Sequence, residues 1–384
     1  MIKVVNEYEN LKIVLVHTPG SEINQLTPDN LSRLLFEDMP YLPKAIEEHN
    51  QFKKKMKENG TKVIEITKLF NDVIKKSELY KDTIRIFLSE IKQKTAAVLN
   101  HVNIFLESIN RKEFINYFIQ GLTYKEIGLS SDDNFVIDPI PNLMFQRDPM
   151  FIVGDSLFIS NMSSKARKRE TFISKIVTEN HEIFSKNKIY DLNNFEGTIE
   201  GGDVILFNNM VWIGISERTT KNAVENLSKI LQRNQKDLKI IAFQIPPKRA
   251  YMHLDTIISI IDTNTFLIDP VAFKKVKIYD VNKNFSEIKQ SFVEWVLGLN
   301  SRNRVITVGG SNSIISQREQ WNDGANVLAL DNNKIIVYER NSITNSILKK
   351  KNVKVITINS SELSRGRGGP HCMSMPLSRE ISKH

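Results

Sequence analysis

Four times along this chain an apolar run, a tight polar turn and a second apolar run follow one another. Residues 151–153 meet 157–159 across Gly154-Asp155, and 204–207 meet 211–213 across Asn208-Asn209. Residues 257–261 meet 266–268 across Asp262 to Asn264, and 327–330 meet 335–338 across Asp331 to Asn333. Short β-rich runs joined by Gly, Asn and Asp are hairpin signals, because those residues tolerate the positive φ of tight turns. The second strands recur roughly every 55 to 70 residues, which marks a repeat architecture. A lone hairpin cannot bury its apolar face, so such units must pack against one another.

A strand of the same type, 11–16, comes earlier, and the gap to the next is longer by roughly one further repeat. Much of that gap, 71–130, has apolar residues at three- and four-residue spacing with charge between, as in 84–88 and 91–99, and is expected to be helical. Further helices are expected over 220–231 and 285–297, between the later hairpins. The pattern predicts an α/β ring or stack of strand–helix units, not one open sheet.

Polar residues stand just before each hairpin: Arg147-Asp148-Pro149, Glu200-Gly-Gly-Asp203, His253-Leu-Asp255-Thr256 and Trp321-Asn-Asp323-Gly324. Each alone reads as turn chemistry, since Asp, Gly and Asn favour turns. Four in register read differently. If the units are pseudo-symmetric, equivalent positions converge on one axis, and several acids and a histidine face one cavity.

The chain has one cysteine, Cys372, within Arg365-Gly-Arg-Gly-Gly-Pro-His-Cys372-Met-Ser-Met-Pro376. It can form no internal disulfide. Taken alone it reads as an inert buried thiol. Preceding glycines, which let the backbone approach a ligand closely, favour an active-site role once the acids are considered. No Cys/His cluster has zinc spacing, and there is no P-loop or dinucleotide fingerprint, so no metal and no cofactor are expected. No run of about 18 apolar residues spans a membrane, and the first residues lack a signal-peptide apolar region. With the free thiol, this predicts a soluble cytoplasmic protein. The net charge of +9 comes with short basic runs such as Lys53-Lys54-Lys55 and Lys349-Lys350-Lys351. No aromatic interleaving accompanies them, so nucleic-acid binding is not expected.

Six ordered motifs bear a resemblance to a known family. They are 142–149 (Asn-Leu-Met-Phe-Gln-Arg-Asp-Pro), 200–203, Ser216-Glu-Arg218-Thr, Met252-His253-Leu-Asp255-Thr256, 318–324 and 365–376. The chain resembles the arginine deiminases of the guanidino-group-modifying (pentein) superfamily over nearly its whole length. The resemblance implies a five-fold pseudo-symmetric α/β-propeller, residues 1–70 and 131–384, with an inserted helical bundle at 71–130. It implies hydrolysis of L-arginine to citrulline and ammonia within an ammonia- and ATP-yielding catabolic route. Cys372 would be the nucleophile, His253 the acid and base, Glu200 its orienting carboxylate, and Asp148 and Asp255 the guanidinium holders. Asn142, Arg167, Arg218, Gly366 and Arg367 would bind substrate, with Arg167 and Arg218 on the α-carboxylate and Arg367 as a mobile gate. Arg169 is a rival to Arg167. By analogy the protein is a homo-oligomer, dimer or larger.

Two departures stand out. His371 precedes Cys372 where Arg is expected, and the stretch between Pro270 and Arg318 is short. The alternatives are a deiminase or dihydrolase of agmatine or a methylarginine, an amidinotransferase, and a non-catalytic protein that keeps the fold. Arg167 and Arg218 speak against agmatine, which lacks a carboxylate, and the intact thiol, histidine and acids speak against a non-catalytic protein.

Overall fold

The structure, a computed structural model, describes residues 2–380. Five sheets share one plan: an antiparallel strand pair whose second strand then pairs in parallel with a third. One unit joins Met150–Val153, Ser156–Ile159 and Lys188–Asp191. The next joins Val204–Phe207, Met210–Ile215 and Lys239–Gln244. Two more follow: Ile258–Asp262, Thr265–Ile268 and Arg304–Thr307, then Leu328–Asp331, Lys334–Tyr338 and Lys354–Ile358. The remaining unit is assembled from both ends of the chain. Met375–Glu380 runs antiparallel to Asn10–Val16, which pairs in parallel with Lys62–Glu65.

A parallel pairing needs a crossover, and each unit supplies a helix for it. Lys221–Asn234 is typical: the Thr220 side chain accepts from the Ala223 amide, and Ala223, Val224, Leu227, Ile230 and Leu231 form the buried stripe. All four anticipated hairpins form within one residue of their expected edges, apart from the second strand of 204–213, which runs on to Ile215. Asn208 and Asn333 take the positive φ of their turns, at 52° and 61°.

Two stretches expected as continuous helix are not. Residues 285–297 divide into a strand, Ser286–Ile288, and a helix, Phe292–Leu299. Ser291 and Glu294 form a capping box that starts the helix late, and the strand joins Lys277–Asp280 on the edge of the Val204 sheet. Residues 91–99 break at Thr95, which caps a helix beginning at Ala96. Between 71 and 130 lie the helices Ser77–Ser89, Ala96–Ser108 and Arg111–Gln120. Their Phe87, Phe114 and Phe118 form a ring cluster with Phe70 and Phe172. Each fully buried aromatic of this kind contributes roughly 1.5–3 kcal/mol.

The first strands of neighbouring units pack beside one another: Ile258–Asp262 against Leu328–Asp331, and Met375–Glu380 against Met150–Val153. The segments leading into these strands are thereby brought together, and they carry the polar residues singled out above.

Candidate active site

Asp148, Glu200, His253, Asp255, Asp323 and Cys372 are all buried, none more than 4% exposed. Glu200 and His253 each open a short 3-10 turn before the first strand of their unit. Cys372 holds the corresponding place before Met375–Glu380. The glycines of Glu200-Gly-Gly-Asp203 have a local reason. A Cβ on Gly202 would lie 2.7 Å from His253 Nδ1 and 2.8 Å from Asp148 Oδ1, so only glycine lets these groups converge.

His253 Nε2 lies 2.8 Å from Glu200 Oε2, and its Nδ1 lies 3.6 Å from Asp148 Oδ1. Glu200 Oε1 accepts from the Ser163 amide and hydroxyl at 3.1 and 3.0 Å. Burial disfavours a charged His253, but the carboxylates of Asp148, Glu200 and Asp203 outweigh it and lift the ring to about 10. Burial likewise opposes ionised Glu200, yet the His253 bond, with Arg167 and Arg218, holds it down to about 2. At neutral pH the two therefore form an imidazolium–carboxylate pair.

Cys372 Sγ is 3.5 Å from Asp255 Oδ2. Burial, then Asp255, Asp148 and Asp323, push its thiol well above the ordinary range. Asn326 ties the two backbones, donating to the Asp255 carbonyl at 2.9 Å and accepting from the Cys372 amide at 3.0 Å. One oxygen on each nearby carboxylate, Asp148 Oδ1 and Asp255 Oδ1, is buried with no hydrogen-bond partner among the described residues. A buried carboxylate oxygen without a donor is costly, and a cation carrying N–H groups would satisfy it.

The arginines divide. Arg167 lines the cavity and is buried, whereas Arg169 points away, donating to the Phe118 carbonyl at 2.6 Å and to that of Asp138. Arg167 donates to Asp148 Oδ2 at 2.7 Å and forks onto Glu170 at 2.7–3.1 Å. Arg218 Nη1 stands 4.0 Å from Glu200 Oε1. Asn142 donates to the Leu34 carbonyl at 2.6 Å, and its own carbonyl accepts from Arg167 at 3.4 Å. Arg367, at a φ of 60°, lies 3.6 Å over the Trp321 ring, while Gly366 fits against Phe36 and Phe145.

The cavity among these groups is lined by Leu35, Asn142, Phe145, Asp148, Arg167, Arg218, Met252, His253, Gly366, Arg367 and Cys372. Its ≈ 20 Å³ is far below the ~300–1,000 Å³ typical of ligand pockets, so the site is nearly filled by its own side chains. A larger cavity of ≈ 550 Å³ lies elsewhere, between residues 24–27 and 123–135, and its lining has neither cysteine nor histidine. Asp148, Glu200 and His253 lie close enough to share a metal ion, but Arg167 Nη1 sits 2.7 Å from Asp148 and 3.8 Å from Glu200 and would repel one.

Sequence reasoning missed Glu170, Asn326 and Glu7. Glu170 had a signal, three residues after Arg167 at the start of a helix. Burial pushes Glu170 up to about 7 despite Arg167.

The sequence model of the family described as "Arginine deiminase" matches residues 32–379. The arginine deiminase of Mycoplasma capricolum is 40% identical over 394 aligned residues, covering 99% of this chain and 97% of that one. Among solved structures, an amidinotransferase from Microseira wollei superposes with a TM-score of 0.61 at 15% identity, over 100% of this chain and 98% of the other. The N-terminal domain of a cyanobacterial arginine dihydrolase gives 0.60 at 14% identity, over 97% and 99%. At these identities the two structures speak for a shared mixed α/β fold alone.

Proposed function

The chain belongs to the arginine deiminase family, and on that premise we propose that its enclosed site hydrolyses L-arginine to L-citrulline and ammonia. It is a hydrolase of C–N bonds. The observation that carries the reading is the pair of unpartnered oxygens, Asp148 Oδ1 and Asp255 Oδ1, buried beside a single thiol. A guanidinium offers the N–H fork such carboxylates lack.

Once bound, its charge offsets the field that pushes the Cys372 thiol up, so the thiol releases its proton to solvent and substrate assists its own nucleophile. The thiolate attacks the guanidino carbon to give a tetrahedral adduct. His253, protonated at neutral pH, gives its proton to the departing nitrogen, the C–N bond breaks to release ammonia, and a thiouronium remains bound to sulfur. The ring, now neutral, takes a proton from water. The hydroxide attacks the same carbon, the C–S bond breaks, and citrulline is released. Glu200 keeps the ring oriented through both halves.

Arg167 and Arg218 receive the α-carboxylate, with Asn142 beside them. Arg167 now holds Asp148, so substrate must take its place there while Glu170 retains it. Gly366 and Arg367 form the movable wall, which agrees with the small cavity.

For the architecture we infer a five-fold α/β-propeller over 1–70 and 131–384 with a helical insertion at 71–130. Five sheets of one plan and the helices of that stretch support it. By analogy with the family we also propose association as a homo-oligomer, dimer or larger, and work in the cytoplasm in an ammonia- and ATP-yielding route. No described helix is long and apolar enough to cross a membrane.

The test is product analysis with L-arginine, with agmatine, and with Cys372→Ser. Equal moles of citrulline and ammonia from L-arginine, absent in the variant, are expected. Turnover of agmatine in preference would contradict the carboxylate clamp, and turnover of neither would contradict the enzyme.

A further inference from the structure

Two carboxylate–imidazole pairs stand near Cys372, and the chemistry above uses only one, Glu200–His253. The second is built on His371. Its Nδ1 lies 2.8 Å from Asp255 Oδ2 and its Nε2 lies 3.3 Å from Glu7 Oε2. His371 and Glu7 are each 5% exposed, and Asp255 is fully buried. Glu7 is itself held: Arg147 Nη1 donates to its Oε1 at 3.3 Å, and Arg379 Nη2 is 4.0 Å from Oε2. His371 lies outside the substrate cavity, facing a separate small cavity with Glu7 and Ser259.

We propose that His371 is a positioning residue for the reaction, which pins Asp255 Oδ2, leaves Oδ1 to the substrate, and offsets as an imidazolium the negative field on Cys372. The proposal rests on the deiminase reading. Its geometric basis is that Asp255 Oδ2 is shared by His371 Nδ1 at 2.8 Å and Cys372 Sγ at 3.5 Å, so that what His371 does to this carboxylate reaches the sulfur directly. Both ring nitrogens face carboxylate oxygens, and only a doubly protonated ring can donate to both. A neutral ring donates to one and turns a lone pair on the other. The charged groups around the ring are Asp255 on the turn Leu254–Thr256, Glu7 on the N-terminal segment, and Arg147 and Arg379 beyond it. At the thiol they are Asp255, Asp148 and Asp323. Burial opposes ionised Asp255, but its bond to His371 and the charge of that ring hold it below the usual range.

The test follows the rate of Cys372 alkylation by iodoacetamide against pH, beside kcat and KM for L-arginine, in the full chain, His371→Gln and His371→Arg. Gln keeps an N–H but no charge. Its alkylation limb is expected to move up by about one pH unit, and its kcat to fall about tenfold. Arg keeps both an N–H and a charge and should return the limb to its original place. An unmoved limb in His371→Gln with kcat and KM within about twofold of the original would overturn the proposal. So would a moved limb that Arg does not restore, since packing alone would then explain it. If the Gln variant does not fold, the imidazole titration of His371 in the natural chain, read by NMR before and after alkylating Cys372, decides. It should change by at least about 0.3 pH unit, and an unchanged titration overturns the proposal. Alkylation needs no substrate, so absent arginine turnover in the natural chain would sink the deiminase reading while leaving this one legible.

Discussion

Two polar clusters in this molecule, one buried and one partly buried, look alike by composition and differ in what they lack. One is the site around Cys372. The other lies near the N-terminus, where His17 meets Glu22 at 3.0 Å and Lys53 meets Glu65 at 2.7 Å, with His49 fully buried close by. In that second cluster the carboxylates are answered. Glu22 also accepts from the Gly20 amide at 2.7 Å, and Glu65 from the Thr18 amide and hydroxyl at 3.0 and 2.6 Å. Its unpartnered atoms are imidazole nitrogens, His17 Nδ1 and both of His49. Burial drives His49 down to about 3, so that ring is neutral. Around Cys372 the unpartnered atoms include the carboxylate oxygens Asp148 Oδ1, Asp255 Oδ1 and Asp323 Oδ2, together with the Nε and Nη1 of Arg367. The first deficit is at ring nitrogens; the second leaves one oxygen on each of these buried carboxylates without an N–H donor. Titratable groups packed together do not by themselves mark a site, but orphaned carboxylate oxygens buried beside a lone thiol point to one.

The contrast is broken most sharply at the sulfur. Cys372→Ser should lose citrulline formation by about 10⁴-fold or more, measured per folded protein. Asp148→Asn and Asp255→Asn remove the negative charge but keep the shape. Each should lower kcat/KM for L-arginine by on the order of 10²-fold or more, while an equivalent Glu65→Gln change should act through stability and leave kcat within about threefold.

Glu200→Gln sharpens the role of the first histidine pair. Carboxylates raise the His253 value, so removing one lowers it, and the basic limb of the kcat–pH profile should move to lower pH. A limb that stays or rises would show that His253 is not the group read. Arg218→Gln should raise KM for L-arginine by about tenfold with little change in kcat if, as proposed, it holds the end of the substrate remote from reaction.

The smallest effect is expected in the N-terminal cluster. His49 is depressed in the folded chain relative to the unfolded one. Between pH of about 6.5 and 3 the unfolded state therefore binds the extra proton, and stability falls as pH falls through that window. Each unit of difference is on the order of 1.4 kcal/mol. His49→Gln should keep its activity within about twofold, and its melting temperature should gain on that of the natural chain as pH drops. A gap that does not widen toward acid would contradict a neutral buried ring.

Much of this was legible in sequence because it is local. A hairpin is written in adjacent runs and a turn, so all four were readable from residues a few positions apart. The acids before each strand and the Gly-rich run to Cys372 were equally local. What escaped depends on distant contacts. Glu7 reaches His371 across 364 residues, and Asn326 reaches Cys372 across 46. Nothing in either neighbourhood signals the partner. The strand Ser286–Ile288 reads as helix in the sequence because a short amphipathic run fits both periods until its sheet neighbour is known. Arg167 was separable from Arg169 only once the helix Lys168–Asn180 fixed which way each side chain points.

The most direct measurement is the ionisation of the Cys372 thiol, followed by thiolate absorbance against pH, with and without a non-reactive guanidine bound. If Asp148 and Asp255 receive a guanidinium, binding must draw the titration down by at least about one unit from its elevated free value. A titration that does not move, or rises, would mean that these carboxylates are not there to hold a guanidinium.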